Sequence, residues 1–197
     1  KIHFPCPRAG YNSIMMQPQV QTLSVQDYLE RELNAKERNE YLGGYLHAMS
    51  GASLRHSRIC TNILAALLPA ARALDCRIHQ EGVKLRSSDD VMYYPDLMVV
   101  CGHDPVHTHY EVAPCILIEV LSPSTKGVDL REKLLAYRMI PSLQTYLIVE
   151  QEAQLVRVIS RDALGGWNQE DIAGSGPIEL PCLGSTLEVA DIYRGVF

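Results

Sequence analysis

The sequence predicts an α/β or α+β domain in which a mixed β-sheet packs against helices. Residues 97–101 and 115–121 are short apolar runs rich in Ile, Val and Leu, typical of strands buried on both faces. Residues 53–74 and 129–140 instead repeat their apolar side chains at helical spacing. Because helical and strand patterns follow one another along the chain, we expect helices to cover a sheet of mixed strand directions.

Length and composition indicate one globular domain. The chain has 197 residues, 47% hydrophobic and 21% charged. We expect an irregular lead-in over residues 1–21, where Pro and Gly recur without a period, and a single domain over 22–197. The net charge of −5 argues against a strong non-specific DNA binder but leaves room for a local basic groove. No run reaches the roughly 20 apolar residues of a membrane span, so we predict a cytoplasmic protein that does not bind membranes.

The six cysteines form no Cys-x-x-Cys pair, and several lie within apolar runs, where free cysteine behaves as a small hydrophobe. Reduced thiols in a cytoplasmic setting are the simpler interpretation, although the sequence leaves disulfides open. The cysteines are Cys6, Cys60, Cys76, Cys101, Cys115 and Cys182.

The first half of the chain predicts helices around a short strand pair. Ser24 can cap a first helix, with Asp27 as the capping-box acid. Residues 41–49 indicate a strand pair, or one strand bent at its glycines. Residues 53–74 form the longest helical pattern, in which Pro69 is expected to kink or split the helix. The apolar stripe of this helix comprises His56, Ile59, Ile63, Ala66 and Leu67.

The second half predicts a strand-rich sheet and one more long helix. Residues 76–86 alternate like a half-exposed strand, and a turn at 87–90 joins them in a hairpin to a strand at 91–101. Pro141 is expected to end the helix that begins near Asp129. The remaining predicted segments are a polar loop at 102–113, strands at 143–150 and 154–160, a strand after Gly165-Gly-Trp167, and a short terminal segment at 187–193.

Three charged residues stand out in apolar surroundings. Glu119 is the single charged residue of the run 115–121, and a buried carboxylate is costly unless a cation, a metal or a hydrogen-bond donor compensates it. Asp96 follows Pro95 and opens the other apolar run. Lys133 shares the helical stripe of Leu130, Leu134, Tyr137 and Ile140, which should face the sheet. The sequence therefore predicts that two acids and one lysine meet.

Such a cluster suits a divalent metal. Hard carboxylate oxygens on a rigid sheet, here from Asp96 and Glu119, suit Mg²⁺, with Mn²⁺ as a substitute, and Lys133 could assist an attacking water. The structural alternative keeps equal weight: Asp96 caps a strand, and Glu119 forms an ion pair with Lys133 or Arg138.

Four further residues are secondary candidates for this site. Lys84 competes with Lys133 for the same role, and Tyr137 could support it from the same helix face. His56 is more typical of an ordinary helix histidine than of a ligand. Glu40 is either a solvated charge or a further acid at the site, if its helix packs near Asp96.

Two weaker signals remain open. His103, His107 and His109, with Asp104 and Cys101, resemble a zinc cluster, but their spacing matches no dependable zinc pattern. Residues 122–125 could bind a phosphate at a helix N-terminus, and ordinary capping explains them equally well.

Several motifs together resemble one bacterial family. They are Tyr94-Pro-Asp96, Glu119-Val-Leu-Ser-Pro-Ser-Thr125, Asp129-x₃-Lys133-x₃-Tyr137, Ile140-Pro-Ser-Leu-Gln-x-Tyr146, Glu40-Tyr-Leu-x-Gly44, Met49-x-Gly-Ala-Ser-x-x-His56 and Leu180-Pro-x-Leu-Gly184. Over residues 23–196 the chain is similar to the Uma-type family of restriction endonuclease-like bacterial proteins, within the PD-(D/E)xK nuclease superfamily.

The resemblance implies a restriction endonuclease-like core and metal-dependent hydrolysis of DNA, with Asp96 and Glu119 holding Mg²⁺. The superfamily places its lysine two residues after the glutamate, where this chain has Leu121, so the resemblance implies that Lys133 replaces it. A homodimer is expected, because symmetric pairs often cut both DNA strands. The competing hypotheses are a non-catalytic module that binds nucleic acid or protein with a relic site, and a zinc hydrolase using the histidine loop.

Overall fold

A computed structural model describes residues 22–49, 51–102, 104–122 and 129–197. The predicted lead-in over 1–21, His103 and most of the helix start at 122–125 lie outside the described residues, as does the Leu130 side chain. The helices are α1 (Val25–Glu32), α2 (Leu54–Ala73), α3 (Asp129–Arg138) and α4 (Val189–Ile192), with a 3₁₀ turn at Pro181–Leu183.

The strands fall into a central sheet, a smaller sheet and a hairpin. In chain order they are β1 (Asn39–Leu42), β2 (Tyr45–Ala48), β3 (Arg77–Gln80), β4 (Lys84–Ser88), β5 (Val91–Tyr93), β6 (Leu97–Val100), β7 (Tyr110–Glu111), β8 (Ile116–Leu121), β9 (Thr145–Glu150), β10 (Leu155–Arg161), β11 (Trp167–Ala173), β12 (Pro177–Leu180) and β13 (Ser185–Glu188). The central sheet has the order β11-β10-β9-β8-β6-β3, the smaller sheet β2-β1-β5-β4-β7, and the hairpin β12-β13. Only β8–β9 is parallel in the central sheet. The predicted mixed sheet with flanking helices is confirmed.

Within residues 76–101 the chain crosses twice between the two larger sheets, at β3–β4 and at β5–β6, so two predicted strands are wrong. The expected strand 76–86 breaks into β3 and β4, because Glu81 and Gly82 have positive φ angles of 46° and 81°. The expected strand 91–101 breaks into β5 and β6 around Pro95, which has no N–H for a sheet ladder. The predicted hairpin survives as β4–β5.

The predicted cap of α1 is present, whereas two predictions for α2 are wrong. The Ser24 Oγ accepts from the Asp27 N–H at 3.1 Å and donates to the Asp27 carboxylate at 2.6 Å, which confirms Ser24 as the helix cap. The helix α2 runs unbroken through Pro69, so the predicted split is wrong. Ala66 is exposed, whereas Cys60 and Ala71 are fully buried on the core face.

Three further corrections concern burial and element ends. Lys84 is buried because the Tyr94 ring covers it, and it does not lie on a half-exposed strand face. The helix α3 ends at Arg138, before Ile140. The predicted loop 102–113 contains the short strand β7.

Two apolar layers enclose the central sheet. Ile116, Ile118 and Val120 pack on the α2 side, while Leu117 and Leu121 pack with Tyr137 of α3 on the other. Because side chains alternate along a strand, Glu119 faces α3 between two leucines. No helix in the described part of the chain is both long and apolar enough to cross a membrane.

The structure pairs four cysteines that the sequence predicted as free thiols. Disulfides join Cys76 to Cys101 and Cys115 to Cys182, while Cys60 is a buried free thiol. The expectation of free thiols is therefore wrong at four positions, because their partners are 25 and 67 residues away along the chain.

A buried tyrosine ties the C-terminal segment to the sheet. The Tyr193 hydroxyl lies 2.7 Å from the Leu155 carbonyl and 2.8 Å from the Glu150 carbonyl, and it accepts from the Leu155 N–H at 3.2 Å. We predict that Tyr193→Phe lowers the free energy of unfolding by about 1–2 kcal/mol, because these groups lose a buried partner. Urea denaturation checks this. The control Tyr45→Phe, at a residue that is 52% exposed, should change little; equal losses in both variants would contradict the assignment.

Candidate active site

The pairing of β6 with β8 brings the two predicted metal ligands together. Leu97 lies opposite Ile118 in this antiparallel ladder, so one further step places Asp96 beside Glu119. The Val120 N–H donates to Asp96 Oδ2 at 2.7 Å, which fixes the aspartate against the end of β8.

The helix α3 supplies the lysine to this pair. The Nζ of Lys133 lies 3.2 Å from Glu119 Oε1 and 2.9 Å from Glu40 Oε1. The Tyr137 hydroxyl, one turn further along α3, donates to Glu119 Oε1 at 2.8 Å. Lys133 and Tyr137 are buried, as expected for an inward-facing stripe. The superfamily's usual lysine position holds Leu121, whose side chain packs in the core with Tyr137.

Glu40 reaches the site from the smaller sheet. It lies on β1, so the expectation that a helix carries it is wrong. Its Oε1 accepts from the Tyr94 N–H at 3.2 Å in addition to its contact with Lys133. Because Tyr94 lies between β5 and β6, Glu40 fixes the crossing between the sheets just before Asp96.

His56 approaches the pair from α2. Its Nε2 lies 3.2 Å from Asp96 Oδ1. Burial lowers the pKa of His56, but the hydrogen bond and negative charge of Asp96 outweigh burial, so the pKa is raised above its usual value. Ser53 caps this helix, accepting from the His56 N–H at 3.0 Å and donating to Gln151 at 2.8 Å.

Lys84, His107 and His109 lie outside the cleft that the two carboxylates line. The Lys84 Nζ is 5.4 Å from the Tyr94 ring centroid, outside the cleft that the carboxylates line, and burial lowers its pKa. His107 stacks on Tyr110 with centroids 4.1 Å apart and accepts from the His109 N–H at 3.1 Å.

A cleft of about 760 Å³ opens over the site. Glu40, His56, Asp96, Glu119 and Lys133 all line it. Arg38, His47, Glu81, Ser53 and Gln151 line it too, and the sequence had not singled them out. Glu81 had a readable signal, because Glu-Gly interrupts an alternating pattern, as a turn between two strands would.

The electrostatics of the site favour a bound cation. Burial raises the pKa of Glu119 to about 8, against the opposing effect of Lys133, and the nearby charges of Asp96 and Glu40 raise it further. In the described residues, the contacts of Glu119 with Lys133 and Tyr137 both use Oε1, which leaves Oε2 for another ligand. Carboxylate oxygens converging beside a cleft form a donor set that fits Mg²⁺ or Mn²⁺.

The comparisons identify the family. The family described as Uma2, putative restriction endonuclease, matches residues 25–190. The chain belongs to the Uma2 family. Uncharacterized protein slr1290 of Synechocystis sp. strain PCC 6803 is 32% identical over 88% of this chain and 93% of its own. Uncharacterized protein sll1609 of the same organism is 33% identical over 66% of this chain and 75% of its own.

A solved structure supports the fold of this Uma2 chain. The crystal structure described as a putative nuclease belonging to DUF820, from Anabaena variabilis ATCC 29413, matches with a TM-score of 0.74. The match covers 89% of this chain and 99% of that one at 16% identity, so it shows the fold alone. The restriction endonuclease-like fold is therefore confirmed, and membership of Uma2 places the chain in a nuclease-like family.

The raised pKa of Glu119 makes stability depend on pH. Between about 4.5 and about 8, the folded chain holds a proton that the unfolded chain has released, so stability without metal falls as pH rises. We predict that Glu119→Gln gains stability relative to the wild type as pH rises from 5 to 8, on the order of 1 kcal/mol per pH unit.

Urea denaturation in chelator at several pH values measures this difference. The control Glu132→Gln, on the exposed face of α3, corrects for the general loss of one negative charge. If the free energy of unfolding changed with pH equally in the wild type and in Glu119→Gln, ionisation of Glu119 would not destabilise the folded chain, and the prediction would be wrong.

Proposed function

We propose that this chain is a metal-dependent endonuclease that hydrolyses phosphodiester bonds of DNA. The observation that supports it most is the convergence on one cleft of Asp96, which directly precedes β6, with Glu119 of β8 and Lys133 of α3. Membership of the Uma2 family supports the same reaction class.

Asp96 and Glu119 would hold Mg²⁺ or Mn²⁺ through their carboxylate oxygens. The ion, when bound, would polarise the phosphoryl group and lower the pKa of a coordinated water. His56 keeps Asp96 oriented through Oδ1, and the Val120 N–H does so through Oδ2. In the described part of the chain, Tyr137 and Lys133 both contact Glu119 through Oε1, so we assign Oε2 the role of ligand.

Lys133 provides a fixed positive charge beside these carboxylates. The Glu40 and Glu119 oxygens hold its ammonium, so little reorganisation is needed when negative charge develops on the scissile phosphate. The ammonium could also orient the attacking water. Glu40 acts through Lys133, since its carboxylate contacts the Lys133 ammonium and accepts from the Tyr94 N–H.

The cleft offers local basic groups for the substrate despite the acidic net charge. Arg38 and His47 are exposed and line the cleft, and the Arg38 guanidinium stacks over Tyr94 at 5.9 Å. Such groups can contact the phosphate backbone without reading sequence. We assign them to substrate binding, separate from the chemical step.

We also propose that two chains act together, since a symmetric pair could cut both strands of a duplex. Analytical ultracentrifugation checks this, and a single monomer peak at assay concentration, without and with DNA, would contradict it.

Loss of either metal ligand should abolish cleavage. We predict that Asp96→Ala and Glu119→Ala each reduce Mg²⁺-dependent nicking of supercoiled plasmid by at least about 100-fold, because the ion loses a carboxylate. The control Glu132→Gln should cleave at the wild-type rate. Unchanged cleavage by both alanine variants would rule out this site.

Replacing each of the two candidate lysines should change the cleavage rate differently. Lys133→Met keeps the packing of the aliphatic stem but removes the charge, so cleavage should fall by about 100-fold or more while Mn²⁺ binding is retained. Lys84→Met should leave the rate near that of the wild type, because Lys84 contacts Tyr94 outside the cleft. The reverse pattern in the plasmid assay would assign the role to Lys84.

Leu121 motivates a second candidate function, a non-catalytic module that keeps a relic of the site. Titration calorimetry separates the two functions. Binding of Mg²⁺ or Mn²⁺ by the wild type, lost in Asp96→Ala, supports the nuclease, and no heat of binding by the wild type supports the relic.

A further inference from the structure

Four cysteines converge at one end of the central sheet. Cys76 precedes β3, Cys101 follows β6, Cys115 precedes β8 and Cys182 lies in the 3₁₀ turn. The sulfur atoms of Cys101, Cys115 and Cys182 all lie within 4.8 Å of one another. Cys76 is joined to Cys101, so a fourth sulfur lies next to this group of three.

The cluster lies away from the carboxylate site. Asp96 and Cys101 flank opposite ends of β6, and Glu119 and Cys115 lie towards opposite ends of the antiparallel β8. At about 3.3 Å per residue, roughly 15 Å of strand separates Asp96 from Cys101. The cysteines therefore take no part in the proposed hydrolysis.

We propose that Cys76, Cys101, Cys115 and Cys182, in their reduced form, bind one Zn²⁺ as a tetrahedral structural site. Zinc–sulfur bonds of about 2.3 Å in a tetrahedron place the sulfur atoms about 3.8 Å apart. The Sγ atoms of Cys101 and Cys115, which are not bonded to each other, lie 3.6 Å apart. Four sulfur ligands of this geometry are typical of zinc.

The metal site and the disulfides are alternative states of the same four sulfurs. Reduction of each disulfide takes two electrons from the reductant and yields two thiols. A thiol reductant also supplies the two protons and becomes a disulfide, whereas a phosphine takes the oxygen of a water, whose two protons go to the thiols, and becomes a phosphine oxide. Zinc then binds the four thiolates and displaces their four protons. The two states cross-link the same segments, so either can hold this end of the sheet.

Geometry favours one zinc ion over an iron–sulfur cluster. A cluster of several irons and sulfides would hold its cysteine sulfurs further apart than the 4.8 Å limit seen for three of them. Of the loop histidines that the structure describes, His107 stacks on Tyr110, and its Nδ1 accepts from the His109 N–H.

The experiment uses the full chain, reduced anaerobically with a phosphine and titrated with Co²⁺ and then Zn²⁺. We expect the thiolate charge-transfer band and the visible bands of tetrahedral Co²⁺ at one ion per chain, displaced by Zn²⁺. Elemental analysis of Asp96→Ala, which lacks a ligand of the proposed nuclease metal, should then find one zinc per chain, and Zn²⁺ should raise the Tm of the reduced protein.

Matched variants locate the ion. Cys101→Ser and Cys115→Ser should lose the cobalt spectrum, whereas Cys60→Ala, which removes the buried free thiol, should retain it. Asp96→Ala should also retain it, which separates this site from the proposed nuclease metal. Far-UV circular dichroism checks that the serine variants fold.

Three results would overturn the proposal. They are no thiolate–cobalt band and no zinc-dependent rise in Tm for the reduced wild type, an unchanged spectrum in Cys101→Ser, or an iron–sulfur chromophore in the anaerobically purified chain. The first of these results is measured on the wild type, so it does not depend on whether a variant folds. All three are independent of whether the chain cleaves DNA.

Discussion

The antiparallel register of β6 and β8 is the constraint that positions both the carboxylate site and the cysteine cluster. Leu97 opposite Ile118 sets Asp96 beside Glu119 at one end and brings Cys101 near Cys115 at the other. A slip of one residue would turn Glu119 to the α2 face, away from Lys133, because strand side chains alternate between faces. The register is itself fixed by packing, since β6 and β8 are buried along their whole length.

The buried carboxylate of Glu119 explains why several elements meet at this point. Its charge is costly between Leu117 and Leu121, and Lys133 and Tyr137 offset the cost from α3. The Lys133 ammonium also forms an ion pair with Glu40, which lies on the smaller sheet. The contacts that compensate the Glu119 carboxylate and the Lys133 ammonium thus come from both sheets and from α3. These contacts fix the two sheets and the helix relative to one another.

The sequence showed the parts of the site whose signal is local. Glu119 stood out because one acid interrupts an apolar run, and Lys133 because helical spacing turns it inward. Glu40 could be named but not placed, since its strand pairs with residues about fifty positions later. The breaks at Glu81 and Pro95 were missed because an alternating pattern does not reveal which sheet each half joins. Cysteine pairing was unreadable, because contacts across 25 and 67 residues leave no local pattern.

Electrostatic repulsion at one end of the β6–β8 pair is opposed by packing along the two strands. At the proposed metal site Asp96 and Glu119 repel each other whenever both are ionised without a cation, and this repulsion pushes the strand ends apart. Apolar packing along the strands resists it. The disulfides at the far end tie β6 to the segment before β3 and β8 to the 3₁₀ turn. The apolar packing holds the register of β6 and β8 without supplying a group that competes for the metal. The carboxylates can therefore stay close together before a cation arrives, which is the preorganisation that a hydrolytic metal site requires.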